Sequence, residues 1–391
     1  VTVNCYLKKM YSLLPRYKGH RYKKNNILTL AINPKTGLFE NIDMNKIGTG
    51  DMFKASKKSD PDTPTIKEVL CGLFNEEFVE AIIKEIQELE EHETWIIMLR
   101  SKLTIGANVI PSTWAFKIKR SPDGEIKKFK ARICVRGDKQ IEGVDYFETY
   151  APVVSWSTIR MLLCLSLQYG WFTKAVDFAN AFVHTEIKED VYVSLPEMFQ
   201  DDSGIQNKEL VLKLKKSLYG LAQSPKAWYD CLKERLTKIG FKTSAVETGL
   251  FFGQGMIIVC WVDDCLFFGP DKKEIDRSIN DIEKLDFSLT EEDTTKDVLT
   301  FLGVELVKQD GKIVLSQEGL IKKILKTTGM EDCNRVFTPA TQDNLGADTD
   351  GEPFKEDWDY ASVIGMMMYL CNNAYPEIQF AVHQCARFTH F

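Results

Sequence analysis

Two adjacent aspartates interrupt the most apolar stretch of the sequence. Met256–Val262 is the longest unbroken apolar run, and Asp263 and Asp264 separate it from the apolar residues 265–268. Neighbouring carboxylates in an apolar setting are unfavourable unless water or a cation compensates their charge. Two aspartates in a row are also common in an ordinary solvated turn, so the dipeptide alone leaves both interpretations open.

A third carboxylate, Asp177, stands in the same setting. It follows Ala175-Val176 at the end of a short predicted strand. If this strand lies beside the Asp263-Asp264 hairpin, three carboxylates meet, and Mg²⁺ prefers such oxygen ligands. Two ions about 3.5–4 Å apart stabilise both the attacking and the leaving oxygen of a phosphoryl transfer. The residues therefore predict a two-metal site, on the condition that the strands are neighbours.

The elements around these acids predict an α+β fold. Apolar residues at helical spacing predict helices over Thr65–Glu93, over 157–166, over 217–239 with a break at Pro225, and one that begins at Asp271. Turn residues between alternating segments predict hairpins over Trp114–Arg136, over 256–268 across Asp263-Asp264, and over 299–316 across Asp310-Gly311. This order fits helices on one side of an antiparallel sheet better than a doubly wound sheet.

Composition narrows the functional classes. The 391 residues, with 44% hydrophobic and 27% charged, indicate a globular protein of two or three subdomains. The ten cysteines form no C-x-x-C pair and do not cluster with the five histidines, so no zinc site is expected. The longest apolar run is far short of the ~20 residues that span a bilayer, so no membrane association is expected.

The distribution of charge differs from its total. The net charge is −6, yet residues 1–39 contain eight basic and no acidic residues, and Trp114–Lys139 contains nine basic and three acidic residues. A polyanion responds to the local field of a basic patch rather than to the net charge. A solvated basic face is an equally good interpretation of these clusters when they are taken alone.

Six motifs occur in an order that resembles a known family. They are Lys130-Ala-Arg132, Tyr150-Ala-Pro-Val-Val154, Val176-Asp-Phe-Ala-Asn-Ala-Phe182, Lys216-Ser-Leu-Tyr-Gly-Leu-Ala-Gln-Ser-Pro-Lys-Ala-Trp-Tyr229, Trp261-Val-Asp-Asp264 and Phe301-Leu-Gly303. Together they resemble the reverse transcriptase of copia-type LTR retrotransposon polyproteins, from about Asp60 to the end of the chain.

The resemblance implies a right-hand polymerase with an antiparallel palm sheet. Residues 1–60 would be a basic, poorly structured lead-in, 61–170 the N-terminal helices and fingers, 171–305 the palm, 306–337 a thumb-like segment and 338–391 a connection segment that ends before RNase H. The implied activity adds deoxynucleotides to a primer 3′ end on an RNA or DNA template. The implied partners are template–primer, deoxynucleotides and other polyprotein products, in a cytoplasmic virus-like particle.

The resemblance also assigns roles to residues. Asp177, Asp263 and Asp264 would be the catalytic acids and, with the Phe178 carbonyl, would hold two Mg²⁺ ions or Mn²⁺ in their place. Nucleotide binding would fall to Lys119, Lys130, Arg132, Phe182, Tyr219 and Gly220, with Phe182 excluding a ribose 2′-OH. Primer binding would fall to Trp261, Phe301, Leu302 and Gly303.

Departures from the family pattern leave a second interpretation open. Residue 261 is Trp where the family usually has Tyr, and Ala222 replaces a usual Lys. These changes favour a catalytically weakened relic that still binds nucleic acid. A metal-dependent nuclease using the same acids is a third possibility, although it gives no purpose to Phe182 or to Tyr219-Gly220.

Overall fold

The computed structural model describes residues 30–32, 39–41, 62–120, 125–199, 206–291, 298–334, 336–340, 345–346, 354 and 356–389. The predicted basic lead-in therefore lies outside the described residues, apart from strands β1 (Leu30–Ile32) and β2 (Phe39–Asn41), which pair antiparallel. The chain forms two compact units, one of Val1–Ile141 with Glu189–Leu221 and one of Glu142–Lys188 with Ala222–Phe391.

Among its described residues, the first unit contains two α-helices, a four-stranded sheet and a long hairpin. Its further elements are α1 (Ile66–Cys71), α2 (Asn75–Glu91), β3 (Trp95–Leu99), β4 (Val109–Ile110), β5 (Ser112–Arg120), β6 (Ile126–Val135), β8 (Tyr192–Ser194) and β9 (Leu210–Leu214). The sheet has the order β3-β9-β8-β4, and β5 pairs with β6 in the hairpin. Phe78 of α2 makes edge-to-face contacts with Phe116 and Phe129, so the apolar side of the hairpin packs on α2.

The second unit is built on a six-stranded antiparallel sheet of order β10-β11-β12-β13-β7-β14. Its elements are α3 (Trp156–Tyr169), β7 (Phe172–Phe178), α4 (Ser224–Lys238), β10 (Lys242–Thr243), β11 (Leu250–Gly253), β12 (Met256–Trp261), β13 (Asp264–Gly269), α5 (Lys272–Glu283), β14 (Leu289–Glu291), β15 (Val298–Phe301), β16 (Val304–Gln309), β17 (Lys312–Ser316), α6 (Glu318–Thr328), α7 (Tyr360–Asn373) and α8 (Gln379–Ala386). Helices with antiparallel sheets confirm the predicted α+β class.

Helices cover both faces of this sheet, as the apolar residues on both faces of the strands beside Asp263-Asp264 indicate, and not only the one side that the order of the elements favoured. Ile159 and Leu162 of α3 belong to the same apolar cluster as Ala175 and Leu266, on one face of the sheet. Side chains alternate along β7, so Phe178 points to the other face, where its ring lies 5.2 Å from that of Trp228 in α4. Central strands that are apolar on both sides require cover on both sides.

Three local predictions need correction. The helix predicted over 157–166 begins at Trp156 and extends to Tyr169, and its N-cap is Ser155, whose hydroxyl accepts from the Thr158 N–H. The helix predicted over 217–239 begins only at Ser224, and Pro225 occupies its first turn instead of breaking it, because proline lacks only an N–H that would be unsatisfied there. The segment 299–316 forms three strands, with an additional turn at Leu302-Gly303.

Across the part of the chain that the structure describes, every helix is too short or too polar to cross a lipid bilayer.

Candidate active site

The sheet places Asp177 directly opposite Asp264. β13 pairs antiparallel with β7, and Asp264 and Asp177 are register partners at the end of that ladder. Register partners point to the same face of a sheet, about 4.5–5.5 Å apart at Cβ. The sequence predicted that the carboxylates would meet if their strands were neighbours, and β7 and β13 are neighbours in the sheet.

Asp263 lies in the two-residue turn that joins β12 to β13. Trp261 pairs with Asp264, so the turn consists of Val262 and Asp263, and not of Asp263 and Asp264 as predicted. Val262 has a φ of +56°. A β-branched residue rarely adopts this conformation, and such strain amounts to about 1–3 kcal/mol. We call the four residues Trp261, Val262, Asp263 and Asp264 the acid turn.

Two hydrogen bonds hold the acid turn in place. The Nε1–H of Trp228 donates to the Val262 carbonyl at 2.6 Å, and the Phe178 N–H donates to the Asp263 carbonyl at 2.9 Å. Trp228 is 1% exposed, and its ring packs edge-to-face on Phe178 and Phe287 at centroid distances of 5.2 and 5.3 Å. The strained turn is therefore fastened to a rigid aromatic cluster beneath it.

The acids match a divalent cation in their chemistry. Carboxylate oxygens are the ligands that Mg²⁺ prefers, and two of the carboxylates share one face of adjacent strands. Asp177 is exposed, and Asp263 and Asp264 are half-buried, so all three can be reached from solvent. In the described residues, no three His, Cys, Asp or Glu side chains are already arranged as a metal-binding group. The backbone thus brings the ligand types together without a preformed cage.

Phe178 and Phe182 flank the end of β7. Phe178 is the last residue of the strand, and Phe182 lies in the short 3₁₀ helix Ala181–His184 that follows it. Phe182 is 9% exposed, and its carbonyl accepts from the Thr185 hydroxyl at 2.8 Å. Both residues are thus held rigidly within a few positions of Asp177.

Three of the four predicted primer-binding residues share one apolar cluster. Phe301 is a buried member of this cluster, and Trp261 and Leu302 pack against it. Leu302 and Gly303 form the β15–β16 turn, with φ values of +51° and +71°. The Leu302 carbonyl accepts a hydrogen bond from the Tyr369 hydroxyl. Partial burial, and then the negative charge of Asp264, raise the pKa of Tyr369.

The β5–β6 hairpin gathers cations on one face. Lys117 pairs with Lys130, Lys119 with Lys128, and Ala115 with Arg132, so these cations project from the face opposite α2. Like charges directly across a ladder repel each other. We call Lys117, Lys119, Lys128, Lys130 and Arg132 the basic face. Its repulsion is relieved when an anion binds to it.

Arg132 also contacts the predicted Tyr219-Gly220 loop. Its guanidinium lies 4.3 Å from the centre of the Tyr219 ring, and the Tyr219 carbonyl accepts from the Val135 N–H at 2.8 Å. Gly220 has a φ of +90°, and a Cβ added to it would lie 2.1 Å from the Val135 carbonyl oxygen. The loop therefore needs glycine at this position to lie against the end of β6.

A buried carboxylate supports the basic face from behind. Glu85 of α2 is 8% exposed and accepts from the Ile133 N–H at 3.1 Å, next to Arg132 in β6. Burial raises the pKa of Glu85 to about 7, against the opposing effects of the Ile133 hydrogen bond and the Arg132 charge.

Sequence reasoning missed the structural parts played by Trp228, Glu85 and Tyr369. Trp228 was noted only as part of a motif, because its bond to Val262 spans 34 positions. Glu85 received no role from the sequence, although it lies within one turn of Ile82 and Leu89 on the apolar side of its helix. Tyr369 carried no sequence signal that would have identified it.

Comparison with known proteins agrees with the motifs. Residues 92–342 match the family model described as "Reverse transcriptase (RNA-dependent DNA polymerase)". The Pol polyprotein from transposon RE1 of Arabidopsis thaliana is 30% identical over 82% of this chain, and that from transposon TNT 1-94 of Nicotiana tabacum is 28% identical over 84%. These matches cover 21% and 25% of the relatives, so the chain spans about a quarter of their length or less.

Among solved structures, a foamy viral protease-reverse transcriptase in complex with double-stranded DNA is similar to this chain, with 12% sequence identity and a TM-score of 0.37. The aligned region covers 74% of this chain and 40% of the viral chain. The family match covers well over half of the chain, and the transposon relatives confirm the resemblance that the six motifs indicated. The chain belongs to the reverse transcriptase (RNA-dependent DNA polymerase) family.

Proposed function

We propose that this chain synthesises DNA on an RNA or DNA template, as the polymerase portion of a retrotransposon Pol polyprotein. The observation that carries the proposal is the register pairing of Asp177 with Asp264, beside Asp263 in the acid turn. The membership of the chain in the reverse transcriptase family supports the same activity.

Asp177, Asp263 and Asp264 would hold two Mg²⁺ ions or Mn²⁺ in their place, with the Phe178 carbonyl as a further ligand. When bound, such ions stabilise the charge on the attacking and leaving oxygens of phosphoryl transfer. The primer 3′-oxygen attacks the α-phosphorus of the nucleotide, its proton passes to solvent, and the bond to pyrophosphate breaks. The two hydrogen bonds to the acid turn keep Asp263 and Asp264 oriented during this step.

The remaining residues would bind and select the substrates. Lys119, Lys130 and Arg132 of the basic face neutralise the triphosphate, with Arg132 held by its contact to Tyr219. Phe182 lies against the sugar and excludes a 2′-OH, whereas Tyr219 and Gly220 contact the base. Trp261 and the Phe301–Gly303 turn hold the primer strand. Template–primer binding weakens as salt rises, because phosphate contacts by Lys and Arg release counterions.

The test is primer extension by the purified full chain on a primed RNA template with deoxynucleotides and Mg²⁺. Asp263→Asn should slow single-turnover extension at least roughly 100-fold, which corresponds to about 2.7 kcal/mol of transition-state stabilisation. Asp310→Asn is the matched control. Asp310 also lies in a hairpin turn of the second unit, at a φ of +50° that asparagine tolerates. This variant should extend primers at the unaltered rate.

A relic that binds nucleic acid without copying it is the alternative, and Trp261 and Ala222 are the observations that favour it. Salt-sensitive binding of template–primer without any extension would support the relic. Extension by Asp263→Asn at the rate of the unaltered chain would refute the role given to Asp263.

A further inference from the structure

Two buried thiols lie immediately beneath the acid turn. Cys260 and Cys265 are register partners in β12 and β13, one position below the pair Trp261 and Asp264. They are 5% and 1% exposed, and their Sγ atoms are 2.9 Å apart. This separation is shorter than ordinary contact between two sulfur atoms, whereas a disulfide bond is about 2.0 Å long. The two thiols are therefore already close to bonding distance.

The backbone at this pair suits a disulfide. The Cys260 N–H donates to the Gly249 carbonyl at 2.9 Å, which is away from β13, so Cys260 and Cys265 form a non-hydrogen-bonded pair. The Cα atoms of such pairs are about 4.5 Å apart. Disulfides join Cα atoms about 4.4–6.8 Å apart, so the strands need to move little for the bond to form.

The position of the pair links it to the acids. Alternation along the strands places both thiols on the face that carries Val176, opposite the face that carries Asp177 and Asp264. A covalent bond between the strands at Cys260 and Cys265 would fix their twist and separation one residue before the acid turn begins and one residue after it ends.

We propose that Cys260 and Cys265 are an oxidation site, at which hydrogen peroxide forms a cross-strand disulfide that slows DNA synthesis. One thiolate attacks the peroxide and becomes a sulfenic acid, releasing hydroxide that takes up a proton as water. The second thiol then displaces the sulfenic oxygen, which leaves as a second water. Two thiols are thus oxidised to one disulfide, and one peroxide is reduced to two waters.

The catalytic consequence rests on the proposed polymerase function, but the chemistry of the thiols does not. Burial makes the reaction slow and dependent on local opening of the hairpin. Under reducing conditions the bond reverts by thiol–disulfide exchange, so it persists only while oxidant is supplied. A displacement of about 1 Å at a reacting centre is enough for a 100-fold loss of rate. We therefore expect the smaller shift caused by the disulfide to slow extension about tenfold.

The experiment treats the purified full chain with hydrogen peroxide, alkylates the remaining thiols after unfolding, and maps the peptides by mass without reductant. The expected result is a Cys260–Cys265 linkage, lighter by two hydrogens, that forms in step with the loss of primer extension. Dithiothreitol should reverse both changes. Cys265→Ala should retain its extension rate through the same treatment, whereas Cys164→Ala, at an exposed position, should lose it as the unaltered chain does.

The mass measurement decides the site even where no synthesis is detected, so failure of the oxidation site is distinguishable from failure of the polymerase assignment. Recovery of Cys260 and Cys265 as alkylated thiols, while the exposed Cys71 and Cys164 are oxidised, would overturn the proposal. A complete 260–265 linkage with an unchanged extension rate would overturn its effect on synthesis.

Discussion

Replacing Trp228 with phenylalanine tests whether the acid turn depends on a single indole hydrogen bond. Trp228→Phe removes the donor that lies 2.6 Å from the Val262 carbonyl and keeps an aromatic ring against Phe178 and Phe287. A fully buried carbonyl that loses its partner costs about 1–3 kcal/mol, and this range is an upper bound for the part-buried bond to Val262. The positive φ of Val262 stores strain of about the same size. The turn loses its restraint and relaxes away from the conformation that holds Asp263.

The expected loss follows from these energies. If the whole 1–3 kcal/mol destabilises the turn conformation that orients Asp263 for catalysis, the single-turnover rate of extension drops by between about 5-fold and about 150-fold. The affinity for template–primer, measured by fluorescence anisotropy, should fall less than the extension rate, because Trp261 is the one predicted primer-binding residue that belongs to the acid turn. Urea unfolding measures how much of the loss is global destabilisation.

Trp114→Phe is the matched control. The Nε1–H of Trp114 also donates to a backbone carbonyl, that of Glu197, at 2.7 Å, but Trp114 lies in the hairpin of the first unit. Its loss should lower the stability of that unit and leave the extension rate unchanged.

Val262→Gly supplies the second arm of a double-mutant cycle, because glycine adopts a positive φ without strain. In the glycine background, Trp228→Phe should cost less activity than it does in the unaltered chain. Equal losses in the two backgrounds, or a Trp228→Phe rate that matches that of Trp114→Phe, would refute the reasoning.

Two further predictions concern the first unit. Burial raises the pKa of Glu85 from 4.5 to about 7, so between these pH values the folded chain keeps a proton that the unfolded chain has lost. The contribution of Glu85 to stability is therefore fully present below about pH 4.5 and declines as the pH rises to about 7. Glu85→Gln should therefore gain about 3 kcal/mol relative to the unaltered chain between pH 4.5 and pH 8 in urea unfolding, and parallel pH curves would contradict this. Gly220→Ala should destabilise the chain by about 1–3 kcal/mol more than Gly106→Ala in the same assay. Both glycines have nearly equal φ values, +90° and +88°, but only Gly220 has a carbonyl in the path of a Cβ, so equal effects would show that the clash is relieved elsewhere.

The sequence predicted the helices and hairpins that are set by interactions between residues a few positions apart. It missed features that depend on the register between strands. The helix after Asp271 and the hairpin across Asp310-Gly311 form as predicted, because capping and turn residues act over a few positions. The acid turn was placed one residue too late, because aspartate is a common turn residue and valine is not. The pairing of Asp264 with Asp177 draws Asp264 into the strand and leaves Val262 in the turn.

The basic face shows the same limit. Alternation along each strand places Lys117 and Lys119 on one face of β5, and Lys130 and Arg132 on one face of β6. Whether the two pairs share a face depends on the register between β5 and β6, and the connecting residues 121–124 lie outside the described residues. The structure supplies the register and shows that the cations of both strands project together.

Several arrangements in the described residues oppose ordinary folding preferences, and three of them involve a residue to which the motifs assign a function, or its direct neighbour in the sequence. Asp264 lies opposite Asp177, Lys117 lies opposite Lys130, and Val262 holds a left-handed backbone. Like charges across a ladder and a β-branched residue at positive φ each lower the stability of the free protein. A cation between the aspartates and an anion across the lysines would reverse the first two penalties, and the aromatic cluster around Trp228 offsets the third. Their coincidence with the residues to which the motifs assign a function supports the proposal of a site built for charged ligands.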